Sequence, residues 1–298
     1  MEYHNPVLLK ESVDGLNIKP NGVYVDVTFG GGGHSKEILS RLNEDGKLFA
    51  FDQDDDAKLN MIDDERFTLI PQNFRFIKRY LRFYGVKKVD GILADLGVSS
   101  HQFDEADRGF STRFDADLDM RMNQSHEISA FQVVNFYDEE KLADVLFQYG
   151  ELRNARAIAK KIDETRAEKK IKTSFQLKEV LSAFVPKSVE HKVLAQIFQA
   201  IRIEVNQEIE ALKEFLLQIP EVLNSEGRLS VISYHSLEDR LVKRFIRNGL
   251  FEGEPEKDFY GNINVPMKKI GKMIVPSFQE IKENNRARSA KLRIATLK

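Results

Sequence analysis

Four consecutive glycines at residues 30–33 separate a segment with the pattern of a strand from one with the pattern of a helix. Residues 23–29 are mostly apolar, whereas residues 35–42 place their apolar side chains at helical spacing. A tight turn needs one glycine or two, but four in a row leave the backbone open to a ligand. The feature therefore predicts a ligand-binding loop between a strand and a helix.

The same alternation of strand and helix continues through the first hundred residues. Further apolar runs at residues 47–52, 67–70 and 89–95 are typical of strands, and helix-like segments lie between them. Uninterrupted apolar strands joined by helices imply a parallel sheet that is covered on both faces. We therefore predict a doubly wound α/β fold, whose ligands bind at the carboxyl ends of the strands.

The alternation stops after Gly97, residues up to about Asn123 show no clear period, and the pattern turns helical from Asp138. Asp138 is a suitable N-cap for one helix, and Ser174 is suitable for another. Apolar residues three and four apart over residues 191–219 predict one long amphipathic helix, ended by Pro220. The middle of the chain is therefore expected to be helical.

Strand patterns return at residues 227–233 and 292–296. Between them, residues 250–280 contain scattered prolines and glycines and are expected to form an irregular loop. The helical part is thus an insertion in a discontinuous α/β domain. The predicted units are an α/β domain of residues 1–104 and 205–298 and a helical insertion of residues 105–204.

The residues around the glycine loop restrict its ligand. A phosphate-binding P-loop would need a Gly-Lys-Ser/Thr sequence, which is absent, and a dinucleotide fingerprint would need a third glycine at the position of Ser35. Asp26 lies just before the loop, where a carboxylate is a poor neighbour for a pyrophosphate but a good one for a cation. S-Adenosylmethionine carries a sulfonium and an ammonium group and no phosphate, and it is therefore the ligand that the loop favours.

Three more candidate site residues follow the later strands. Asp52 ends the second strand, where an acid can accept hydrogen bonds from the ribose hydroxyls of a nucleoside ligand, NAD included. Phe74 follows the third strand and could stack on an adenine or pack in the core. Asp95 ends the fourth strand and either faces the crevice at the strand ends or caps the strand.

The composition excludes several kinds of chemistry. The chain has no cysteine, and its six histidines show no metal-ligand spacing, so we expect no disulfide, no thiolate-bound metal, no cysteine nucleophile and no metal site. No apolar run reaches the ~20 residues of a membrane-spanning helix, and the N-terminal segment lacks the pattern of a secretion signal. The expected compartment is the cytoplasm, with no membrane partner.

Local charge differs from the formal net charge of −2. Residues 282–298 hold six basic residues and one acidic residue, and residues 151–172 hold eight basic and four acidic residues. A solvated helix face explains the second segment, whereas the first is harder to explain without an anionic partner. Nucleic-acid binding is therefore expected only from a local patch.

Eight motifs along the chain resemble, in the same order, those of the bacterial 16S ribosomal RNA cytosine-N4 methyltransferases. They extend over nearly the whole chain, and their number and order make the resemblance specific. The motifs are His4-x-Pro-Val-Leu-Leu9, Asp26-x-Thr-Phe-Gly-x-Gly-Gly-His-Ser35, Asp95-Leu-Gly-Val-Ser-Ser100, Arg108-Gly-Phe-Ser111, Leu118-Asp-Met-Arg-Met122, Phe198-Gln-Ala-x-Arg-Ile203 followed by Val205-Asn206, Ser233-x-His-Ser-Leu-Glu-Asp-Arg240 and Arg286-Ala-Arg-Ser289.

This resemblance implies a class I S-adenosylmethionine-dependent methyltransferase sheet with an inserted helical domain that contributes to substrate recognition. It also implies S-adenosylmethionine as the cofactor and, as the target, a cytidine in the decoding region of 16S rRNA within the 30S subunit. The cofactor-binding residues of the family carry over to Gly32, Gly33, His34, Asp52, Phe74, Asp95 and Gln102. The oligomeric state stays open, with a homodimer among the arrangements considered.

Methyl transfer to a cytosine amino group depends on positioning, because the nitrogen lone pair is conjugated into the ring. A hydrogen-bond acceptor at the amino group would turn the lone pair toward the methyl group. Asp95 is the candidate for this role, although it could hold the cofactor instead. Tyr234 and His235, at the end of the returning strand, are candidates for holding a base that has left its stack, and His235 could equally serve as an N-terminal residue of the next helix.

Two other functions also fit the predicted fold. An NAD-dependent oxidoreductase fits the fold and Asp52, but it does not fit Asp26 or the missing third glycine. A ribosome-assembly factor without catalytic activity also fits the fold. The intact acids Asp26, Asp52 and Asp95 argue against that second alternative.

Overall fold

The computed structural model describes residues 6–99, 102–103, 105–182, 185, 187–261 and 263–298. His4 and Ser100, which belong to two of the sequence motifs, lie outside these residues. The chain divides into two compact units, one of Met1–Gly97 with Ile209–Lys298 and one of Val98–Glu208. Residues 98–104 and 205–208 thus fall in the second unit, whereas the sequence analysis assigned them to the α/β domain.

The first unit is built on a seven-stranded sheet with the order β3-β2-β1-β4-β5-β7-β6. The first five strands along the chain are parallel, β7 is antiparallel to β5, and β6 is antiparallel to β7. The strands are β1 (Val23–Asp26), β2 (Lys47–Phe51), β3 (Phe67–Ile70), β4 (Val89–Asp95), β5 (Leu223–Ser233), β6 (Met267–Ile274) and β7 (Lys291–Leu297). The doubly wound α/β fold is confirmed, and its strand order reverses between β1 and β4.

Helices cover both faces of this sheet. Tyr24, Leu48 and Leu93 face one core, and their neighbours on each strand face the other, which explains why the parallel strands are apolar throughout. The helices of the unit are Leu9–Gly15, Gly33–Ser40, Ile77–Phe83, Glu208–Val222, Ser236–Asn248 and Phe278–Glu283, the fourth of which begins at the last residue of the second unit.

Strand β6 corrects the expectation of an irregular loop at residues 250–280. Met267–Ile274 forms the edge of the sheet and pairs with β7, which lies some way further along the chain. Its sequence shows no clear alternation, because an edge strand with three exposed lysines and Gly271 buries little apolar surface. Strand β6 forms because it pairs with β7, and a local sequence pattern does not show this pairing.

The second unit is helical and has its own apolar core. Its helices are Ala130–Phe136, Glu139–Gly150, Ala155–Glu168, Ser174–Ser182 and Glu190–Asn206. Asp138 caps the second of them, as predicted, because its side chain accepts a hydrogen bond from the amide of Lys141 at 2.7 Å. No helix within the described ranges is both long enough and apolar enough to cross a bilayer.

The single long helix expected over residues 191–219 is wrong. The chain forms Glu190–Asn206 and Glu208–Val222, separated by Gln207 in the left-handed region at φ 50°. Pro220 lies inside the last turn of the second helix and does not end it. Apolar spacing continues across the break, so one residue with a different backbone conformation leaves no trace in the pattern.

Asn206, at the end of the first of these helices, is a buried polar anchor of the second unit. Its side chain is 3% exposed. Its Oδ1 accepts a hydrogen bond from the amide of Met122 at 2.7 Å, and its Nδ2 donates to the carbonyl of Met120 at 2.8 Å. Met120 has a positive φ of 58°, so the amide holds a loop in an unfavourable conformation.

Replacing this anchor, Asn206→Ala, is expected to lower the free energy of unfolding by about 2–4 kcal/mol, because two buried backbone groups lose their partners. Urea unfolding followed by circular dichroism measures the change. Gln124→Ala, at an exposed position of the same unit, is the control and should stay within about 0.5 kcal/mol. Equal stability of the two variants would contradict the anchoring role.

Candidate active site

The glycine loop joins β1 to the helix Gly33–Ser40, as predicted. Gly30 and Gly32 lie in the left-handed region, at φ 50° and 76°. A Cβ on Gly33 would come within 2.2 Å of the ring of Pro6. The conformation and packing of the loop therefore require three of its glycines, so the run of four is weaker evidence for a ligand than the sequence suggested.

Asp26 is fully buried at the end of β1. Its Oδ2 accepts a hydrogen bond from the hydroxyl of Ser35 at 2.7 Å, and its Oδ1 accepts one from the amide of Thr28 at 3.1 Å. Burial raises the pKa of Asp26 to about 6, although these hydrogen bonds favour the charged form. Asp26 thus holds both ends of the glycine loop in place through hydrogen bonds.

Asp52 ties the second strand to the same loop. Its Oδ2 accepts a hydrogen bond from the amide of Gly30 at 2.8 Å, and its Oδ1 accepts one from the amide of Asp54 at 2.9 Å. Burial raises the pKa of Asp52 to about 6, and the negative charges of Asp54 and Asp26 add to the rise. Asn60 donates to the carbonyl of Gly30 at 3.0 Å and holds the loop from its other side.

Asp95 ends β4, next to β1 at the point where the strand order reverses. The phenol of Tyr234 donates a hydrogen bond to its Oδ1 at 2.8 Å, and its own amide donates to the hydroxyl of Thr28 at 2.7 Å. Burial raises the pKa of Asp95 to about 6, and a positive charge on the nearby His34 would oppose the rise. In doubly wound sheets this crevice is where ligands bind.

His34 is the second side chain at Asp95. Its Nε2 lies 3.2 Å from the carbonyl of Val7, which can only accept, so this nitrogen carries the hydrogen. Burial lowers the pKa of His34 and favours the neutral ring. The lone pair of Nδ1 then faces Asp95 Oδ2 across 3.8 Å, too far for a hydrogen bond. Two facing acceptors suit a ligand group with more than one N–H hydrogen.

Tyr234 and His235 follow β5 and precede the helix Ser236–Asn248. Glu238 holds them, because its Oε2 accepts hydrogen bonds from the amides of Tyr234 at 2.9 Å and His235 at 3.3 Å. His235 is the N-cap of the helix, and its Nδ1 accepts from the amide of Glu238 at 3.4 Å. Its Nε2 therefore carries the hydrogen.

That Nε2 hydrogen of His235 finds no acceptor in hydrogen-bonding geometry among the described residues, although Glu238 Oε1 lies 3.1 Å away. The imidazole is nevertheless only 9% exposed. Buried donors are usually satisfied, so an unpaired one at a strand end is compatible with a ligand that completes it. His235 thus has a structural role as an N-cap, and its Nε2 has no hydrogen-bond partner among the described residues.

The remaining predicted cofactor residues lie in different surroundings. Phe74 is partly buried and packs edge-on against Phe215, with 5.4 Å between the ring centroids. Gln102 belongs to the second unit, where its Oε1 accepts a hydrogen bond from the amide of Ser99 at 3.0 Å. The cofactor contacts assigned to both residues stay predictions.

A family model described as the MraW methylase family matches residues 1–298, the entire sequence. The chain belongs to this family. It is a methyltransferase, and the family that the eight motifs indicated is confirmed.

Relatives within the family are similar over nearly their full length. A protein of Flavobacterium johnsoniae is 69% identical over 295 residues, which cover 99% of this chain and 98% of the relative. A protein of Flavobacterium psychrophilum is 70% identical over 291 residues, 98% and 100% of the two chains, and one of Bacteroides fragilis is 55% identical over 297 residues, 99% and 98% of the two chains. All three are named ribosomal RNA small subunit methyltransferase H.

Three supporting residues of the site were not singled out from the sequence. Thr28 joins Asp26 to Asp95, Ser35 binds Asp26, and Glu238 positions Tyr234. The signal for Glu238 was present, because a side-chain acceptor at an N-cap followed three residues later by Glu is the pattern of a capping box. The contacts of Thr28 with Asp95 cross between strands and have no local signal.

The carboxyl of Asp95, which is 22% exposed, should cost folding stability near neutral pH. Because the folded protein holds this group with a pKa of about 6, above the ordinary 3.8, the unfolded chain loses its proton first as pH rises. The stability that the protonated carboxyl contributes is therefore present below about pH 4 and is lost as pH rises through about 6. Asp95→Asn removes the charge and keeps an oxygen for Tyr234.

Asp95→Asn is expected to raise the free energy of unfolding of the ligand-free protein by about 1–3 kcal/mol near neutral pH, with the gain disappearing below about pH 4. Thermal unfolding across this range measures it. Asp63→Asn replaces an exposed carboxylate and should change stability by less than about 0.5 kcal/mol throughout. A destabilised Asp95→Asn protein near neutral pH would refute this account of the buried charge.

Proposed function

We propose that this methyltransferase moves the methyl group of S-adenosylmethionine to the N4 amino group of a cytidine in the decoding region of 16S rRNA. The observation that carries the proposal is the partly buried cluster at the switch point of the sheet, where Asp95 meets Tyr234 and His34. Family membership and relatives named as small-subunit ribosomal RNA methyltransferases support the substrate.

The acids of the first unit fit a cationic cofactor. Burial raises the pKa of Asp26, Asp52 and Asp95 to about 6 in each case, and no Lys or Arg is among the causes of these shifts. A bound sulfonium and ammonium would stabilise the charged carboxylates, whereas a pyrophosphate would be repelled by them. This argues for S-adenosylmethionine over NAD.

We assign the cofactor to the loop and the strand ends that follow it. Asp52 would accept the ribose hydroxyls, and the backbone of Gly32 and Gly33 would approach the ligand where no side chain intervenes. His34, Phe74 and Gln102 complete the proposed set, with Asp26 fixing the shape of the loop. The cofactor supplies a methyl group that its positive sulfur has already activated.

Asp95 is the proposed acceptor for the cytosine amino group. A hydrogen bond from the amino group to Oδ2 would turn the nitrogen lone pair toward the methyl group, while Tyr234 keeps Oδ1 in place. The nitrogen must lose a proton after it is methylated, and a carboxyl with a pKa of about 6 takes a proton more readily than an ordinary aspartate. In the alternative role, Asp95 would hold the cofactor ammonium.

Tyr234 and His235 are the proposed contacts of the target base. A cytosine in an RNA helix must leave its stack to reach a buried carboxylate. The unpaired Nε2 hydrogen of His235 could then donate to an acceptor on the base, and the ring of Tyr234 could pack against it. We assign recognition of the surrounding RNA in part to the helical second unit.

The proposed setting is the cytoplasm, with 16S rRNA in the 30S particle as the form of the substrate. The chemistry assigned above uses residues of one chain. It therefore holds for a monomer and for a homodimer alike.

The product identifies the reaction. We expect 30S particles from cells lacking this protein to acquire N4-methylcytidine when they are incubated with the purified protein and S-adenosylmethionine. Nucleoside mass spectrometry of the 16S rRNA, before and after incubation, makes the measurement. Cofactor binding without a new methyl group on the RNA would show that the acceptor has been wrongly assigned.

Conservative substitutions separate the proposed roles at the strand end. Tyr234→Phe removes the hydrogen bond to Asp95 and should lower kcat about 10–100-fold. His235→Asn retains a good N-cap and should lower kcat/KM for RNA about tenfold. Both proteins should bind S-adenosylmethionine within about threefold of the wild type, by calorimetric titration. Tyr260→Phe, at a residue that is 85% exposed, is the matched control. Unchanged turnover in either variant would remove that residue from the site.

A further inference from the structure

A second concave feature of the first unit lies at the far edge of the sheet. A cavity of about 380 Å³ is lined by the helix Ser236–Asn248, by the edge strand β6 and by β7. Its apolar lining includes Ile246, Val265, Met267 and Ile294, which are all buried. We call this cavity the edge groove.

Among the residues that the structure describes, the charged side chains that line the edge groove are all basic. Its lining contains seven of them and no Asp or Glu, in a chain whose formal net charge is −2. They are Lys243, Arg247, Lys268, Lys269, Lys272, Arg293 and Lys298. The edge groove therefore combines an apolar lining with a concentrated positive charge.

The lysines of β6 have one explanation that needs no ligand. Lys268, Lys269 and Lys272 are exposed on an edge strand, where charged side chains prevent pairing with a second sheet. The pairing of the edge strand with β7 also shifts register between Ile270 and Ile274, and such an irregularity serves the same purpose. These three residues alone do not indicate a partner.

The other basic residues of the edge groove do not lie on the edge strand. Lys243 and Arg247 are exposed, four residues apart on the helix, and Lys298 is exposed after the end of β7. Like charges at this helical spacing repel each other, although Arg247 also lies in the last turn, where the helix dipole favours a cation. Protection of the sheet edge does not account for these three side chains.

Within the described ranges, one acid is bound to a lining residue, and its charge is already neutralised. Asp239 accepts a hydrogen bond from Arg293 Nε at 2.7 Å and lies 3.6 Å from Lys291 Nζ. In the part of the chain that the structure describes, the other six basic residues of the edge groove form no ion pair. Their charge is available to an anionic partner.

We propose that the edge groove binds the sugar–phosphate backbone of the RNA substrate, away from the target cytidine. The proposal rests on the proposed function, which makes RNA the anionic partner. Phosphates would meet the ammonium and guanidinium groups, and the apolar lining would contact ribose and the aliphatic stems of the lysines. Such contacts add affinity and orientation without reading sequence.

Two variants remove the charge from the two sides of the edge groove. Lys268→Gln/Lys269→Gln/Lys272→Gln should weaken binding to unmethylated 16S rRNA about tenfold or more, and Lys243→Gln/Arg247→Gln about fivefold. The slope of log affinity against log salt should fall by about one for each lost phosphate contact. Filter binding over a range from about 50 to 200 mM KCl measures both quantities.

The control loses three positive charges elsewhere on the same unit. Lys10→Gln/Lys47→Gln/Lys87→Gln changes exposed lysines outside the edge groove and should bind RNA within about twofold of the wild type. At saturating RNA, the edge-groove variants should keep the kcat of the wild type. Loss of affinity in the control equal to that in the variants would overturn the proposal, because net charge alone would explain it.

The wild-type protein separates this proposal from the proposed function. Methyl transfer to 16S rRNA by the wild type, with affinity and salt slope unchanged in both edge-groove variants, would overturn the edge groove alone and leave its lysines as protection of the sheet edge. Absence of methyl transfer by the wild type would overturn the proposed function. The filter-binding assay would still decide whether the edge groove binds RNA.

Discussion

Three carboxyl groups at the ends of parallel strands, one fully buried and two partly exposed, are the constraint on which the site depends. Asp26, Asp52 and Asp95 follow or end β1, β2 and β4, and burial raises the pKa of each to about 6. Desolvated acids without a cationic partner oppose folding. Hydrogen bonds from the loop backbone and from neighbouring side chains offset part of this cost, and a cationic ligand would offset more.

The same hydrogen bonds shape the glycine loop. Asp52 accepts from the amide of Gly30, and Asp26 accepts from Thr28 and Ser35 on either side of the loop. The acids proposed to serve the cofactor thus also hold the backbone that surrounds it. A substitution at any of them changes the loop and the charge together, so conservative amides are more informative than alanines.

The edge groove lies on the first unit but several strands from the switch point. The proposed site for the target base needs a preorganised acceptor, whereas the proposed contacts with the RNA backbone need exposed positive charge, and one surface serves both poorly. Strands β7 and β6 extend the sheet beyond β5 and carry this charge together with the helix Ser236–Asn248. The formal net charge of −2 does not reveal this local positive charge, because acidic residues elsewhere in the chain cancel it in the sum.

The parallel strands, the loop between β1 and the next helix, and the order of the acids could be predicted from the sequence, because they depend on local apolar patterns and on position along the chain. The sequence patterns missed β6 and merged two helices across Gln207, since an edge strand buries little and one left-handed residue leaves apolar spacing intact. The hydrogen bond between Tyr234 and Asp95, 139 residues apart, and the assembly of the edge groove from separate segments became evident from the folded chain. Such contacts form when the sheet assembles, and no short stretch of sequence contains them.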